Sequence, residues 1–157
     1  MTVEMKVDAQ VAAASNAFFA ASALLDGLRL RIWDREGLTV TQLRLLSQLN
    51  EQEGLSNAEL ADRLYVTRPS VSALLERLER GGFIRREVSP NDRRGICIWL
   101  EERGRQAVSS VREETQEYMA GLMAGLDPVS LEQLQSSLEA FVASGRAQRK
   151  KDLQSEG

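Results

Sequence analysis

The chain has 157 residues, 43% hydrophobic and 27% charged, with a net charge of −3, the values of an ordinary soluble domain able to bury a core. It has no histidine and one cysteine, Cys97, which exclude a transition-metal ligand set, an intrachain disulfide and every histidine-based catalytic relay. No cofactor and no enzymatic chemistry are expected, no apolar run reads as long enough to span a membrane, the N-terminus lacks a signal-peptide pattern, and the cysteine usage suits a reducing cytoplasm.

From Asp8 to Glu36 the pattern is that of one long helix. Val11, Ala14, Phe18, Ala21, Leu25, Leu28 and Ile32 recur at alternating steps of three and four, with Phe19, Leu24 and Trp33 widening the stripe. Such a seam serves either a bundle core or an interface between two copies of the chain, and its width favours the interface. Three short helices follow. "TVTQ" and "SNAE" both fit a capping box, placing helix starts at Thr39 and Ser56; Gly54 closes the first of these helices, and the second ends near Tyr65. The third starts at Thr67 with Pro69 in its first turn and stops at Gly81–Gly82, where Gly81 is the expected left-handed closing residue. Residues 56–82 therefore read as a helix-turn-helix.

On the helix after Thr67, Val71, Leu74, Leu75 and Leu78 form the buried side. Pro69, Ser70, Ser72, Ala73, Glu76, Arg77 and Arg80 face away. Small and hydroxyl-bearing residues at the N-terminal half of an exposed face allow close approach to a DNA major groove, whereas a merely solvated face would carry more Lys and Glu. Local charge agrees: residues 67–95 hold seven arginines against four acids, +3 within an acidic protein. Then "FIRREV" and "ICIWL" flank "SPNDRRG", residues 89–95, as the strands and turn of a basic β-hairpin, with Ile96, Ile98 and Leu100 on the inward face and Cys97 and Trp99 outward. A helix-turn-helix followed by such a hairpin is a winged helix. Helical signals resume from Glu102 to Leu126, and Asp127–Pro128 starts a last helix carrying Leu131, Leu134, Leu138, Phe141 and Val142. The fold class is mainly α with a β-hairpin wing.

This order of elements, with "VTRPSVSALLERLERGGFIRREVSPNDRRGICIWLEERGR", resembles the MarR family of bacterial transcription factors, most strongly from Leu38 to Arg105. The resemblance implies one MarR-type domain over residues 1–157. Within it, residues 8–36 and 105–148 would dimerise, residues 38–104 would form the DNA-binding lobe, and residues 149–157 would be a frayed tail. It implies a sequence-specific, ligand-responsive repressor that binds a palindromic operator in double-stranded DNA as a homodimer, with no membrane partner. Thr67, Arg68, Pro69, Ser70, Ser72 and Arg77 are expected at the major groove, and Ser56 and Asn57 at a phosphate. In the wing, Arg94 is expected in the minor groove, Arg93 on a flanking phosphate, and Asp92 as a brace for Arg94 or as a plain Asx turn. The family's small aromatic or phenolic effectors suggest Phe18, Arg31, Trp33 and Tyr118 as pocket candidates by their elements, although each also reads as core or interface. Three positions depart from the family pattern: Ala73 where a larger polar or basic side chain is common, Glu101 in place of a capping threonine, and Trp99 with Cys97 on the wing. Cys97 reads as an inert thiol. A winged helix used only for protein–protein contact is the alternative of a different class.

Overall fold

The computed structural model describes residues 8–91 and 95–155. In chain order these form α1 (Ala9–Ala23), α2 (Asp26–Glu36), α3 (Val40–Glu51), α4 (Asn57–Leu64), α5 (Arg68–Arg80), β1 (Ile84–Val88), β2 (Ile96–Leu100), α6 (Glu102–Met123) and α7 (Pro128–Ser155). The chain divides into two compact units, Met1–Thr39 and Val40–Gly157.

In the first unit the long helix expected over 8–36 is present but interrupted by one tightened turn. The N–H groups of Leu24 and Leu25 donate to carbonyls only three residues back, Ala21 and Ser22. This tightened turn is followed by Asp26 and Gly27, both weak helix formers. A second helix then runs to Gly37, which closes it at φ 66° with its N–H on the Trp33 carbonyl. The stretch Ala9–Glu36 contains an 18-residue window of mean hydropathy 1.4, long and apolar enough by composition to count as a candidate span, contrary to the sequence expectation. Leu28 and Ile32 are buried, while Val11, Phe18, Phe19, Leu24 and Trp33 are exposed.

The second unit carries the larger core. Leucines at i, i+2, i+3 and i+6 of α3 (Leu43, Leu45, Leu46, Leu49) are all buried, as are Leu60, Ala61 and Leu64 of α4. From α5 they are met by Val71, Leu75 and Leu78, with Leu74 half-buried at the margin of that face. Ten of the core side chains are all but fully buried, among them Leu55, Ile98 and Leu100. At about 1.5–3 kcal/mol for each large aliphatic side chain, this burial holds the helix-turn-helix and the wing root together. Helix α7 contrasts with it. Leu131, Leu138, Phe141 and Val142 are exposed along its length, and the helix continues to Ser155, past residue 148 where its polar composition suggested an end. Asp127 caps α7 by accepting from the Ser130 N–H at 2.9 Å and from the Ser130 hydroxyl, and these bonds hold its carboxyl below the usual range.

The hairpin β1–β2 is antiparallel, with Ile84 opposite Leu100, Arg86 opposite Ile98 and Val88 opposite Ile96. Alternation buries Ile98 and Leu100 as the pattern requires, but Ile96 is 50% exposed because the hairpin has by then left the core. A third backbone segment, not anticipated from sequence, joins β2. The Ile98 N–H donates to the Leu55 carbonyl and the Gly54 N–H to the Ile98 carbonyl, both at 2.9 Å. Gly54 holds φ 78°, and a Cβ there would stand 3.3 Å from the Trp99 ring. Trp99 is thus covered by Gly54 and by the Arg85 guanidinium, 5.8 Å from its ring, and is half-buried where an outward-facing side chain was expected. Cys97 is half-buried as well.

Candidate nucleic-acid interface

The reading head is built from two capped helix starts set side by side. At α4, the Ser56 hydroxyl accepts from the Glu59 N–H at 3.2 Å, and the Glu59 carboxylate accepts from the Ser56 N–H at 2.8 Å: the capping box read from "SNAE". The bonds from the Ser56 N–H and hydroxyl hold the Glu59 carboxyl below its ordinary value. At α5, Thr67 caps the helix by accepting from the Ser70 N–H, and its hydroxyl shares a 2.8 Å bond with that of Ser70. Pro69 sits in the first turn, where no N–H is required. Thr67, Arg68, Pro69, Ser70, Ser72 and Arg77 are all exposed, as a groove-facing surface demands.

Two expected DNA contacts prove to be tied to each other. The Asn57 side-chain amide donates to the Ser72 hydroxyl at 2.6 Å, and the Asn57 Oδ1 is buried without a partner. Asn57 therefore spans from the start of α4 to the exposed face of α5. It links the two helices and leaves the Ser72 hydroxyl proton free to donate outward.

The arginines separate into two classes that sequence could not distinguish. Arg80 pairs with Glu76 at 3.0 Å, Arg86 with Glu79 at 3.2 Å, and Arg85 with Glu87 at 2.7 Å. Arg68 and Arg77 make no ion pair among the described residues. Nine positions apart, they lie about 14 Å from each other along the axis and on opposite edges of the exposed face. That separation is close to the roughly 12 Å width of the major groove. The helix between them presents only short side chains over its first two turns.

The end of α5 corrects the expected cap. Gly81 has φ −77°, and it is Gly82, at φ 73°, that takes the left-handed conformation. The Gly82 N–H donates to the Glu79 carbonyl and the Phe83 N–H to the Leu78 carbonyl, a Schellman closure with Phe83 and Leu78 both buried beneath it. Gly81 is needed for a different reason, since a Cβ there would lie 2.7 Å from the Phe83 ring. The start of α6 packs against the same place. The Glu101 side chain makes no cap bond. Instead its N–H donates to the Phe83 carbonyl at 2.9 Å, Arg103 donates to the Gly81 carbonyl at 2.6 Å, and Gly104 lies against the Phe83 backbone. A glycine inside a helical pattern was the sequence signal for this close approach.

The wing strands are present up to Ser89 and Gly95, whose backbone bond of 2.8 Å extends the ladder. Asp92, Arg93 and Arg94 lie outside the described residues.

Residues 38–96 match the MarR family, and a homoprotocatechuate degradative operon repressor of Escherichia coli is 30% identical over 119 residues, 76% of this chain and 80% of that protein. The chain belongs to the MarR family. Among solved structures, RV1404 from Mycobacterium tuberculosis superposes with a TM-score of 0.72 at 28% identity, covering 88% of this chain and 96% of that one. The MepR–DNA complex of S. aureus gives 0.69 at 25%, covering 83% and 94%. This MarR-family chain is a winged-helix, DNA-binding transcriptional regulator.

Of the expected pocket residues, Phe18 lies on α1, Arg31 and Trp33 on α2, and Tyr118 on α6. Phe18 is 44% and Trp33 52% exposed, on different helices, and Tyr118 is half-buried on α6. A groove of about 380 Å³ lies between α3 and α6. Leu43, Val108 and Val111 supply its apolar wall, and Asn50, Glu51 and Arg112 its polar rim. Arg112 makes no ion pair among the described residues.

Proposed function

We propose that this MarR-family chain is a homodimeric, non-enzymatic repressor that acts in the cytoplasm and binds a palindromic operator in double-stranded DNA. The observation that carries this reading is the exposed face of α5, where a hydroxyl-rich N-terminal half is bracketed by Arg68 and Arg77 while the neighbouring arginines are neutralised by glutamates. Thr67, Ser70 and the free proton of Ser72 are the polar groups for base edges and phosphates, and Ala73 offers a methyl contact to thymine. Arg93 and Arg94 continue the contact along the backbone and into the minor groove. The exposed apolar residues of α1 and α7 fit burial against a second copy, because apolar strips of that length are rarely left in water. Two-fold symmetry then sets half-sites about 10 bp apart.

A salt titration on the intergenic DNA upstream of the gene tests this reading. Operator affinity should fall log-linearly with salt and be strongest for a palindromic site. Binding that shows no such dependence would point instead to a protein partner.

The effector we propose is a small aromatic acid seated between α3 and α6, its ring on Leu43, Val108 and Val111, its carboxylate on Arg112 and a phenolic hydroxyl on Glu51. The E. coli relative is named for the operon of homoprotocatechuate, itself an aromatic acid. The start of α6 is locked to the end of α5 and to the wing root through Arg103 and Gly104, so a ligand that wedges α6 from α3 would move α5 and the wing together relative to α3. Thermal-shift measurements with substituted benzoates and phenylacetates should find a stabilising ligand whose effect is lost in Arg112→Gln. Equal stabilisation of that variant would remove Arg112 from the site.

A further inference from the structure

Helix α7 ends in a cluster of cations. Residues 146–152 hold Arg146, Arg149, Lys150 and Lys151 against the single acid Asp152, and the helix is continuous through them. Its end is docked on the turn of the helix-turn-helix. The Arg149 guanidinium donates to the Tyr65 carbonyl at 2.9 Å, and the Arg146 guanidinium stands 5.9 Å from the centre of the Tyr65 ring. Tyr65 closes α4 with φ 55°, a left-handed backbone that is uncommon for an aromatic residue.

This docking brings the cluster close to DNA on the reading proposed above, on which the inference rests. Thr67, two residues beyond Tyr65, caps α5. Two residues reach at most about 7 Å, so the Arg149 guanidinium lies within roughly 10 Å of the end of α5 that enters the groove. Lys150 lines a shallow hollow with Asp62, Tyr65 and Gln154. Lys150 and Lys151 are exposed and make no ion pair among the described residues, so the two arginines hold the helix end while the two lysines stay available. Exposed charges are screened over about 8 Å at physiological salt, so lysines held beside the groove act on the phosphates within that range. A lysine ammonium is a compact point charge that suits a phosphate and carries no information about base sequence.

We propose that the C-terminal end of α7 is a second DNA-backbone surface, on which Lys150 and Lys151 bind phosphates flanking the groove occupied by α5 of the same chain. It would raise affinity without altering sequence preference.

The test is operator binding by the full-length protein across a salt series, comparing wild type with a Lys150→Gln/Lys151→Gln variant. At about 0.9 in log–log slope per neutralised phosphate, losing both contacts should lower the slope by about 1.8 per chain. Both chains of the homodimer lose these contacts, so the slope for the dimer falls by about 3.6 and the gap between the two proteins should shrink about 150-fold between 50 and 200 mM salt. The loss should be equal on operator and scrambled duplexes, and absent on a duplex trimmed of its flanking base pairs. Arg149→Ala, which releases the helix end, should reproduce it at an unchanged melting temperature. An unchanged salt slope in the double variant, or a loss confined to the operator sequence, would overturn the proposal, the latter by making the helix end a support for the turn. If the wild type itself shows no salt-dependent operator binding, it is the DNA reading that fails.

Discussion

Gly104→Ala should destabilise this protein even though the residue lies inside α6, where alanine ordinarily improves a helix by up to about 1 kcal/mol over glycine. A Cβ at this position would stand 2.3 Å from the Phe83 carbonyl oxygen and 3.0 Å from a Leu100 methyl. Ordinary C···O contact begins near about 3.3 Å, so the backbone must give by about 1 Å. Overpacking of this kind costs about 1–3 kcal/mol. The Phe83 carbonyl also accepts the Glu101 N–H, so the shift endangers a bond with a net value of about 1 kcal/mol. Against the propensity gain, the balance is a loss of about 1–3 kcal/mol, or about 2–4 °C in melting temperature for each kcal/mol. Urea denaturation at fixed protein concentration measures it, and Gly121→Ala in the same helix is the matched control. At Gly121 nothing stands within 4 Å of a Cβ, so that variant should be more stable by up to about 1 kcal/mol. If both variants gain stability alike, the close approach of α6 to the wing root is not what holds it.

Arg68→Ala and Arg77→Ala should each lower the salt slope of operator binding by about 0.9 per chain, or about 1.8 for the dimer, while Arg80→Ala, whose guanidinium is held by Glu76, should change it less; fluorescence anisotropy across a salt series would rank them. Arg94→Ala should weaken binding by an amount that grows with the A·T content beneath the wing, and equal affinity on every operator would end the minor-groove role. The Glu59 carboxyl titrates below its ordinary value of 4.5 because it accepts the Ser56 bonds, so its contribution to stability is present above that pH and disappears as pH falls through the lowered value. Glu59→Gln should therefore lose less stability than wild type between pH 5 and pH 3, followed by urea midpoints, whereas Ser56→Ala should cost about 1 kcal/mol at neutral pH.

What the amino-acid order determined here was local. The capping box at Ser56, the threonine cap at Thr67, the proline start of α7, the leucine spacing of α3 to α5 and the turn chemistry of "SPNDRRG" each act within a few residues, and each named an element and its exposed face. The heptad-like seam over residues 8–36 named the helical stretch, but apolar spacing says nothing about the tightened turn at Leu24–Leu25. Gly81 and Gly82 were equally fit to close α5, and only the fit of Phe83 beneath the helix end gave the left-handed role to Gly82 and the close-contact role to Gly81. The same holds for the interface. Sequence supplied seven arginines of one charge, but the positions of Glu76, Glu79 and Glu87 in space left Arg68 and Arg77 unpaired. Tertiary contact tied Asn57 to Ser72, brought Leu55 beside β2, and set Arg149 on Tyr65 across 84 positions of chain. Contacts over such separations depend on how finished helices pack, and packing is decided by shape and volume that no stretch of residues carries alone.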